Sequence, residues 1–376
     1  MNRGWTYKKL GLCYPNIKNG ANIKQVANAG GYPITRIETL SGGVFNRDRM
    51  GYADVHDLER YKEYVLEDGD LLMSHINSKT YIGRTVEYKV REDEHIIHGM
   101  NLLRLKGNDG SLLSSFFAYY TQSNSFKSDV ARIRKDAVNQ SSFAISDLKD
   151  FEIPVPSTEE QKTVIEELDA INALVAIKEK QLRELEELEQ TIFHEMFGDP
   201  IDNEKGWNVD SLSNLCEVFA GGDKPKNLSD MQSKEFPYPV IANGDGVKGI
   251  LGYSNSCRVK EDAVTIGARG SIGNCRIVKN GFTPAIRLIT LVPKEKLNCY
   301  FLYFFVRNMD YRINGVAQAQ LTVPNIEKEN ILVPPIALQL HFAEKMQEIE
   351  ILKDNLSTVK RDLEELLASR MQYWFD

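Results

Sequence analysis

A repeat with an offset of 178 residues is the feature that most constrains how this 376-residue chain can fold. The segment 153–197 overlays on the segment 331–375 without a gap. Residues identical in the two copies include Pro156 and Pro334, Gln161 and Gln339, Ile171 and Ile349, Leu174 and Leu352, Leu185 and Leu363, Glu186-Glu187 and Glu364-Glu365, Leu188 and Leu366, and Phe197 and Phe375. Because one offset aligns identities along the whole segment, the chain is predicted to contain a duplicated unit.

Each copy of the repeated segment predicts a long helix. In the first copy Ser157 is followed three residues later by Glu160, a capping-box pattern that marks a helix start. Gly198 and Pro200 mark the end of the same helix. Apolar residues at spacings of three and four run along both copies, so each helix carries an apolar stripe. We expect helices near 158–197 and 336–375, each roughly 58 Å long.

A helix of this length cannot be covered by one small domain, so each apolar stripe needs a partner. Either stripe alone is also typical of an ordinary core helix or of an oligomerisation zipper. The duplication favours pairing of the two helices with each other as an antiparallel coiled coil. The residues predicted to form the seam between them are Leu168, Ile171, Val175, Leu182, Leu185 and Ile192 in the first helix and Met346, Ile349, Leu352, Leu356, Val359, Leu363 and Leu366 in the second.

The regions that precede the helices share a frame but not their loops. Trp5 near the start of the first region recurs as Trp207 in the second. The segment that begins at Gln140 recurs, at the same offset of 178, as the segment that begins at Gln318. Between these landmarks the two regions have little in common, which indicates a duplicated framework with diverged loops.

We therefore predict an α/β (α+β) fold in which two domains of mixed α/β structure are joined by two long antiparallel helices that form a coiled coil, with a pseudo-twofold internal repeat. The expected segments are 1–156 for the first domain, 157–198 for the first helix, 199–335 for the second domain and 336–376 for the second helix. Antiparallel helices are expected to place the two domains at opposite ends.

The composition, with 42% hydrophobic and 26% charged residues, is that of an ordinary globular protein. The net charge of -7 is unevenly distributed: the helical segments 157–197 and 336–376 hold 9 basic and 19 acidic residues, and the rest of the chain holds 37 and 34. Such a distribution is compatible with a partner that contacts the domains and avoids the helices. The five cysteines form no Cys-x-x-Cys pair and no apolar run approaches about 18 residues, so we expect a cytoplasmic protein without a membrane span.

Each domain ends in the pattern Q-x-x-[FL]-x-[IV]-x-[DN]-[LI], at 140–148 and at 318–326. A short Pro-containing strand, a Pro-x4-Gln pattern and a long acidic helix ending in Phe follow in both copies. This combination resembles the DNA-specificity subunit of a type I restriction-modification system, over essentially the whole chain. The resemblance implies two target-recognition domains that each read one half of a bipartite, asymmetric DNA site, joined by helices that form the conserved spacer regions.

The resemblance also implies partners. The subunit assembles with two methylation subunits, which use S-adenosylmethionine to methylate adenine N6, and with restriction subunits that use ATP to translocate and cut double-stranded DNA. S-adenosylmethionine, ATP and Mg²⁺ would belong to those subunits, so we expect this chain to bind no cofactor or metal and to be non-catalytic by itself. The residues agree, because the chain has no Asn-Pro-Pro-aromatic or Asp-Pro-Pro-Tyr methyltransferase motif and no G-x-x-x-x-G-K-[ST] loop.

The loops of both domains are rich in side chains of the kinds that read DNA. Arg and Lys donate to guanine, Asn and Gln form paired hydrogen bonds with adenine, and Lys and Arg also hold phosphates. The candidates are Arg47, Arg49, Asn77, Lys79, Arg84, Arg132, Arg134, Lys135 and Gln140 in the first domain and Asn243, Lys248, Arg269, Asn274, Arg276, Gln318 and Gln320 in the second. Any one of them can equally be a solvated surface residue, so the hypothesis concerns the loops as groups.

Two classes of function stay open at this point. The first is a DNA-reading subunit that directs the enzymes of a larger complex. The second is a non-enzymatic coiled-coil adaptor that carries two duplicated protein-binding domains and has no role on DNA. Binding to duplex DNA in the presence of methylation subunits distinguishes them, provided that the salt concentration is fixed, because phosphate contacts make affinity fall steeply with salt.

Overall fold

The computed structural model describes residues 4–26, 31–107, 110–138, 140–244, 249–269, 272–309, 311 and 320–376. The chain divides into two compact units: unit 1 comprises 1–177 and 359–376, and unit 2 comprises 178–358. Each unit combines a mixed α/β domain with one half of each long helix. The four segment boundaries expected from the sequence stay a prediction.

The domain of unit 1 is built around a four-stranded antiparallel sheet. Its strands lie in the order Asn16–Asn19 (β2), Leu102–Lys106 (β9), Leu71–Ser74 (β6) and Thr85–Glu87 (β8). Alternate residues of β6 face opposite sides: Leu71 and Met73 belong to one buried cluster and Leu72 to another, as the two-residue period of a strand requires. In chain order the described elements are β1 (Thr6–Lys9), α1 (Leu10–Cys13), β2 (Asn16–Asn19), β3 (Gln25–Val26), β4 (Pro33–Ile34), 3-10 helices at Ile37–Gly43 and Arg47–Arg49, β5 (Gly51–Ala53), a 3-10 helix at Glu59–Tyr64, β6 (Leu71–Ser74), β7 (Ile76–Asn77), β8 (Thr85–Glu87), β9 (Leu102–Lys106), α2 (Ser114–Tyr120), α3 (Asn124–Ile133), β10 (Lys135–Asp136), β11 (Ser141–Ser142), α4 (Ile145–Lys149), β12 (Glu152–Val155) and the long helix α5 (Thr158–Phe197).

The domain of unit 2 repeats this plan. Its four-stranded sheet has the equivalent order Cys216–Ala220 (β14), Ile289–Pro293 (β20), Ala263–Ile266 (β17) and Cys275–Val278 (β18). A short two-stranded ladder closes each domain, β1 with β12 in unit 1 and β13 with β21 in unit 2. The described elements after α5 are β13 (Asn208–Ser211), α6 (Leu212–Leu215), β14 (Cys216–Ala220), β15 (Tyr238–Ile241), β16 (Ile250–Ser254), β17 (Ala263–Ile266), β18 (Cys275–Val278), β19 (Thr283–Pro284), β20 (Ile289–Pro293), α7 (Cys299–Arg307), α8 (Val323–Glu327), β21 (Asn330–Val333) and the long helix α9 (Ile336–Phe375).

The repeat extends to individual backbone hydrogen bonds. The amide of Leu10, at the start of α1, donates to the carbonyl of Phe151 at 2.8 Å. The amide of Leu212, at the start of α6, donates to the carbonyl of Glu329 at 2.9 Å. Both leucines are fully buried. The two acceptors are related by the 178-residue offset, so the duplicated framework predicted from the sequence is confirmed.

The last phenylalanine of each long helix packs on the aromatic helix of a domain. In unit 1, Phe375 of α9 meets Phe116 of α2 edge-on, with 5.4 Å between ring centroids. In unit 2, Phe197 of α5 meets Phe301 of α7 with 4.7 Å between centroids. Full burial of a phenylalanine side chain contributes about 1.5–3 kcal/mol, a value that applies to Phe197, whereas Phe375 is half-buried. This contact therefore fixes the end of each long helix on its domain.

The start of each long helix is held by a buried glutamine. Gln161 Nε2 donates to the carbonyls of Ser111 and Pro156 at 2.8 and 2.9 Å, and its Oε1 accepts the amide of Leu113 at 2.8 Å. Gln161 and its repeat equivalent Gln339 have no exposed surface. The corresponding partners of Gln339 are Lys296 at 3.1 Å, Pro334 at 2.8 Å and Asn298 at 2.8 Å. Each side chain thus ties the helix start to the loop before the aromatic helix of the same domain.

The long helices run antiparallel within each unit, as predicted. In unit 1, Glu167 near the start of α5 is paired with Arg370 near the end of α9, and Trp374 Nε1 also donates to Glu167 Oε2 at 2.9 Å. In unit 2, Glu189 in the second half of α5 accepts from Lys353 Nζ of α9 at 3.0 Å. Within the described residues, no helix is both long enough and apolar enough to cross a membrane.

Most of the predicted seam residues are buried or half-buried. Leu168 and Ile171 of α5 and Met346 and Ile349 of α9 are buried. The half-buried members are Val175, Leu182, Leu185, Ile192, Leu356 and Leu363. Leu185 and Ile192 pack against the main apolar cluster of unit 2.

Three predicted seam residues are wrong: Leu352, Val359 and Leu366 are 52%, 43% and 46% exposed. After Ile349 the inward stripe continues through Lys353 and Lys360, which are half-buried. A lysine can fill a seam position because its long aliphatic stem packs while its ammonium reaches the edge. At these two positions the apolar pattern selected the residue before the lysine, and at Leu366 it selected the residue before the half-buried Leu367.

Candidate nucleic-acid interface

A three-stranded sheet in unit 1 brings together candidates that are far apart in the sequence. Strand β11 pairs antiparallel with both β10 and β7, with Ser142 opposite Lys135 and Ser141 opposite Asn77. The amide of Phe143 donates to the carbonyl of His75 at 3.3 Å, and the buried ring of Phe143 anchors this segment in the core. We call the loop segments 75–84, 134–138 and 140–142 the unit 1 loop cluster. It contains the predicted residues Asn77, Lys79, Arg84, Arg134, Lys135 and Gln140.

Asp136 organises the cations of the unit 1 loop cluster. Its carboxylate accepts from Ser141 Oγ at 2.7 Å, from Arg134 Nε at 2.7 Å and from Lys79 Nζ at 2.9 Å. The hydrogen bond from Ser141 and the contact with Lys79 hold the pKa of Asp136 well below its usual range. The carboxylate is thus ionised and orients two cations, while Lys135 beside it is exposed.

Asn77 and Gln140 contribute differently to this loop cluster. Asn77 uses its amide locally, because Oδ1 accepts the amide of Ser78 at 2.7 Å and Nδ2 donates to Ser74 Oγ at 3.0 Å. Gln140 is exposed, and its backbone carbonyl accepts the amide of Ala137 at 2.8 Å, which closes the turn before β11. Asn77 therefore shapes the loop, and the side chain of Gln140 points to solvent.

A cleft of about 550 Å³ lies beside the unit 1 loop cluster. Arg84, which lines it, stacks over the ring of Tyr81 at 4.4 Å and donates to the carbonyl of Leu40 at 3.3 Å. The other cations that line the cleft are Lys79, Lys127 and Arg134. The structure thus places three of the predicted candidates around one concave surface.

Arg47 and Arg132 have other roles. Arg47 forms an ion pair with Glu94, donates to the carbonyl of Lys89 at 2.8 Å and stacks on Phe45. The hydrogen bond from Arg47 also holds the pKa of Glu94 below its usual range. We therefore correct Arg47 to a structural residue, because its guanidinium is already engaged by a carboxylate and a carbonyl.

Arg132 is paired with Asp129 on α3, and it lines a shallow depression that also contains Asp147 and Asp150. An acidic setting of this kind repels a polyanion, so we remove Arg132 from the candidates. Arg49 is exposed on its 3-10 helix, and its contact with DNA stays a prediction.

Unit 2 has an equivalent loop cluster, formed by 267–269, 272–274 and 320–322. The amide of Leu321 donates to the carbonyl of Ala268 at 3.0 Å, and Leu321 is the repeat equivalent of Phe143, which donates to the loop after β6 in unit 1. Arg269 is exposed and its Nη2 donates to Gln320 Oε1 at 2.5 Å. Two predicted candidates from remote parts of the sequence are therefore in direct contact.

Asn243 and Arg276 hold the loop cluster of unit 2 in place. Asn243 Oδ1 accepts the amide of Ala268 at 2.9 Å and its Nδ2 donates to the carbonyl of Ile286 at 3.0 Å. Arg276 Nη2 donates to the carbonyl of Ala242 at 2.8 Å. We correct Asn243 from a base reader to a positioning residue, because backbone groups occupy both of its side-chain polar atoms. The role of Arg276 as a DNA contact stays a prediction.

The remaining candidates of unit 2 divide into two groups. Asn274 is exposed, and its backbone carbonyl accepts the amide of Gly267 at 2.8 Å, closing the tight turn after β17. Lys248 and Gln318 lie outside the described residues.

Two residues of unit 1 were missed by the sequence reasoning. Asp136 was overlooked, although an acid directly after the basic run Arg132-Ile133-Arg134-Lys135 is a signal for a local ion pair. Lys127 was missed because nothing in its sequence neighbourhood shows that α3 places it at the cleft.

Comparisons with known proteins bear on the family of this chain. The family model described as the type I restriction modification DNA specificity domain matches residues 2–187 and 204–365. The putative type I restriction enzyme MjaX specificity subunit of Methanocaldococcus jannaschii is 27% identical over 95% of this chain and 88% of that protein. The putative type I specificity subunit S.MpnORF89P of Mycoplasma pneumoniae is 30% identical over 47% of this chain and 52% of that protein.

Solved structures show the same fold. The S subunit of a type I restriction-modification system from M. genitalium matches with a TM-score of 0.64 and 15% identity, over 100% of this chain and 97% of that chain. A second solved chain, from work on complex assembly and conformational transition of the type I R-M system, has a TM-score of 0.56 and 16% identity, over 100% of this chain and 98% of that chain. The family model covers far more than half of the residues, and the chain therefore belongs to the family of type I restriction-modification DNA specificity subunits.

Proposed function

We propose that this chain is the sequence-reading subunit of a type I restriction-modification complex, with each domain reading one half of a bipartite DNA site. The observation that carries the proposal is the equivalent placing of the two loop clusters. In both, the residue at the same repeat position, Phe143 or Leu321, donates a backbone bond to the loop after a central strand, at His75 in unit 1 and at Ala268 in unit 2. The side chains presented there differ, which supports two unlike half-sites and hence an asymmetric site.

The chemistry of the two loop clusters suits double-stranded DNA. In unit 2 the guanidinium of Arg269 is exposed and restrained by Gln320, and an oriented guanidinium can donate two parallel hydrogen bonds to the major-groove edge of guanine. In unit 1, Lys135 and Gln140 are exposed next to the paired cations Lys79 and Arg134. Such a mixture supports both base edges and phosphates as ligands.

The chain itself is proposed to be non-catalytic. S-adenosylmethionine, ATP and Mg²⁺ would serve the methylation and restriction subunits, and this chain would direct where those subunits act. Family membership supports this division of labour. It also favours the DNA-reading function over the protein-interaction adaptor that the sequence left open.

The outer faces of the long helices supply the proposed docking surface for two methylation subunits. Leu174 and Leu188 of α5 are exposed, and so are Leu352 and Leu366, which occupy the repeat-equivalent positions of α9. Exposed leucines on an otherwise charged helix are typical of a protein-binding surface. Because they occur twice at equivalent positions, they support two equivalent docking sites and hence two methylation subunits.

The test is methylation mapping in cells. The chain is produced with the methylation subunit of its own system in a host that lacks adenine methylation, and N6-methyladenine is located by long-read sequencing. We expect one motif with two unlike halves and an unread spacer, and preferential binding of the purified complex to that motif at fixed salt. Methylation without a bipartite motif, or equal affinity for unrelated duplexes, would favour the adaptor.

A further inference from the structure

The cleft beside the unit 1 loop cluster carries a concentration of positive charge. It is lined by Lys79 and Arg84 from the loop between β7 and β8, by Lys127 and Arg134 from α3 and the residue after it, and by Gly42 and Gly43. None of its described lining residues is acidic. Four cations around one concave surface attract an anion more strongly than the same cations would on a convex one.

The four cations are not equally engaged. Lys79 and Arg134 share the carboxylate of Asp136, which lies outside the lining, and Arg84 is held by Tyr81 and the carbonyl of Leu40. Lys127 is exposed on α3 and forms no ion pair within the described part of unit 1. The cleft therefore keeps an excess of positive charge, and Lys127 is the member whose ammonium is available to an incoming anion.

Neutral groups around the cleft are used internally. Thr85 Oγ1 donates to the carbonyl of Gly83 at 3.0 Å, and Thr121 Oγ1 donates to the carbonyl of Ala118 at 2.8 Å. Buried Phe126 and Val130 form an apolar part of the wall. Gln122 Nε2 also donates to the carbonyl of Ala118, at 3.3 Å. These neutral groups offer little that distinguishes one base from another, whereas the cations can hold phosphates, whose contacts carry no sequence information.

The cleft is kept open by glycines. Gly83 has a φ of +81°, and a Cβ atom there would approach Val130 Cγ2 to 3.1 Å. Gly42 and Gly43, with φ of +74° and +76°, leave the rim without side chains. The phosphate backbone of a nucleic acid, which is bulky and charged, can therefore approach this rim.

We propose that this cleft binds a phosphate group of the DNA backbone beside the half-site of unit 1, with Lys127 as a direct phosphate contact. The inference rests on the proposed function and deepens it, because it separates a sequence-independent anchor from the loop cluster that reads bases. Lys79, Arg84 and Arg134 connect the two, since they line the cleft and also belong to the loop cluster.

The experiment compares full complexes containing the wild type, Lys127→Gln or Lys127→Arg, on the duplex identified by methylation mapping. Each phosphate contact contributes about 0.9 to the slope of log affinity against log salt. We expect Lys127→Gln to bind more weakly, with the salt slope reduced by about 0.9, and with the same methylated motif. Lys127→Arg keeps the charge and is expected to keep the wild-type slope.

Neutral methylphosphonates placed one at a time along the duplex locate the contact. For the wild type we expect weaker binding at one or two positions flanking one half-site, and at those positions Lys127→Gln should show no further loss. Lys62→Gln, an exposed lysine that does not line the cleft, is the control.

Two results would overturn the inference alone: a slope for Lys127→Gln equal to that of Lys62→Gln, or a changed base preference in the mapped motif. A wild-type complex without preference for its mapped motif would instead overturn the proposed function, and this inference with it.

Discussion

At the scale of single residues, Arg269 has the geometry best suited to reading a base. Its guanidinium is exposed and one nitrogen is bound to Gln320, so the orientation of the plane is restrained while other N–H groups remain for a ligand. A restrained guanidinium loses less conformational entropy on binding than a free one. Asn243 adds to this restraint indirectly, because it fixes the neighbouring amide of Ala268.

Arg269→Ala is expected to relax one base position within one half-site. The loss of a paired hydrogen bond to a base costs about 1–3 kcal/mol of discrimination. Long-read methylation mapping should show additional bases accepted at that position, with the other half-site unchanged. Arg183→Ala, an exposed arginine on α5, serves as the control and should leave the motif intact. An unaltered motif for Arg269→Ala would remove this residue from the base readers.

Replacement of the buried anchors by methionine is expected to destabilise the helix starts. Gln161→Met leaves the carbonyls of Ser111 and Pro156 and the amide of Leu113 without their side-chain partner. At about 1–3 kcal/mol for each unsatisfied buried group, we expect the free energy of unfolding to fall by roughly 3 kcal/mol. Gln339→Met should behave alike and exposed Gln347→Met should be neutral, as measured by chemical denaturation. Equal stability of all three variants would contradict the anchoring role.

The buried imidazole of His98 predicts a loss of stability in acid. Burial lowers its pKa to about 3, and its Nε2 donates to the carbonyl of Leu102 at 2.9 Å. In the unfolded chain His98 binds a proton below about pH 6.5, whereas in the folded chain it does not. The contribution of His98 to stability is therefore constant above that pH. Below it the free energy of unfolding falls, by up to about 1.4 kcal/mol per pH unit until about pH 3.

His98→Gln keeps a donor for Leu102 and removes the titrating group. The measurement is urea unfolding between pH 7 and 4 in a Trp207→Phe background, in which Trp5 and Trp374 report on unit 1. We expect a shallower decline of stability in the variant than in its parent. Parallel declines would show that His98 is not the source.

At the scale of elements, the long helices have an inner face that holds the fold and an outer face on which leucines are exposed. The inner face includes the pair between Glu189, only 8% exposed, and Lys353. A buried charge favours the helix register that keeps its partner beside it, because an unpaired buried charge is strongly destabilising. This pair therefore opposes a sliding of α5 along α9 within unit 2, which apolar contacts alone would tolerate.

Aspartate substitutions three residues apart on α5 should separate the two faces. Leu185 packs against the core of unit 2, so Leu185→Asp buries an unpaired charge at a cost of several kcal/mol and should abolish assembly. Leu188 is 43% exposed, so Leu188→Asp should leave the chain folded and weaken binding of a methylation subunit. Thermal unfolding and size-exclusion chromatography with the methylation subunit measure both effects. Normal assembly and DNA modification by Leu185→Asp would mean that the seam is assigned wrongly.

At the scale of the whole molecule, the repeat consists of equivalent frames that carry unlike loops. The sheets β2-β9-β6-β8 and β14-β20-β17-β18 have equivalent order, and each domain holds its own loop cluster through bonds within one unit. A domain built in this way does not depend on the other domain for the shape of its loops. Each domain is therefore expected to read its own DNA half-site independently of the other domain.

Exchange of residues 199–330 for the matching domain of a relative should change one half-site only. The other half-site should persist because the loop cluster of unit 1 is unaltered, and the spacer should persist because α5 and α9 keep their lengths. Methylation mapping of cells that carry the exchanged subunit gives the result. A simultaneous change in both half-sites would show that the domains do not read independently.

The sequence by itself determined the elements and their duplication. The capping box is formed as predicted, with the amide of Ser157 donating to Glu160 Oε2 at 3.1 Å and the amide of Glu160 donating to Ser157 Oγ at 3.2 Å. Gly198 ends α5 with a φ of +78°. These features depend on contacts between residues a few positions apart, so the local pattern contains all that is needed. The offset of 178 then transferred the same assignments to the second copy.

Only the tertiary structure decided which polar side chains are available to a ligand. Arg47 and Asn243 have the residue types of DNA readers, yet Glu94 engages the first and the backbone at 268 and 286 engages the second. Their partners come from remote loops that are not repeated between the domains, so neither local pattern nor the repeat could identify them. A remote partner also decides the seam after Ile349, because the buried carboxylate of Glu189 brings Lys353 inward and turns Leu352 to solvent.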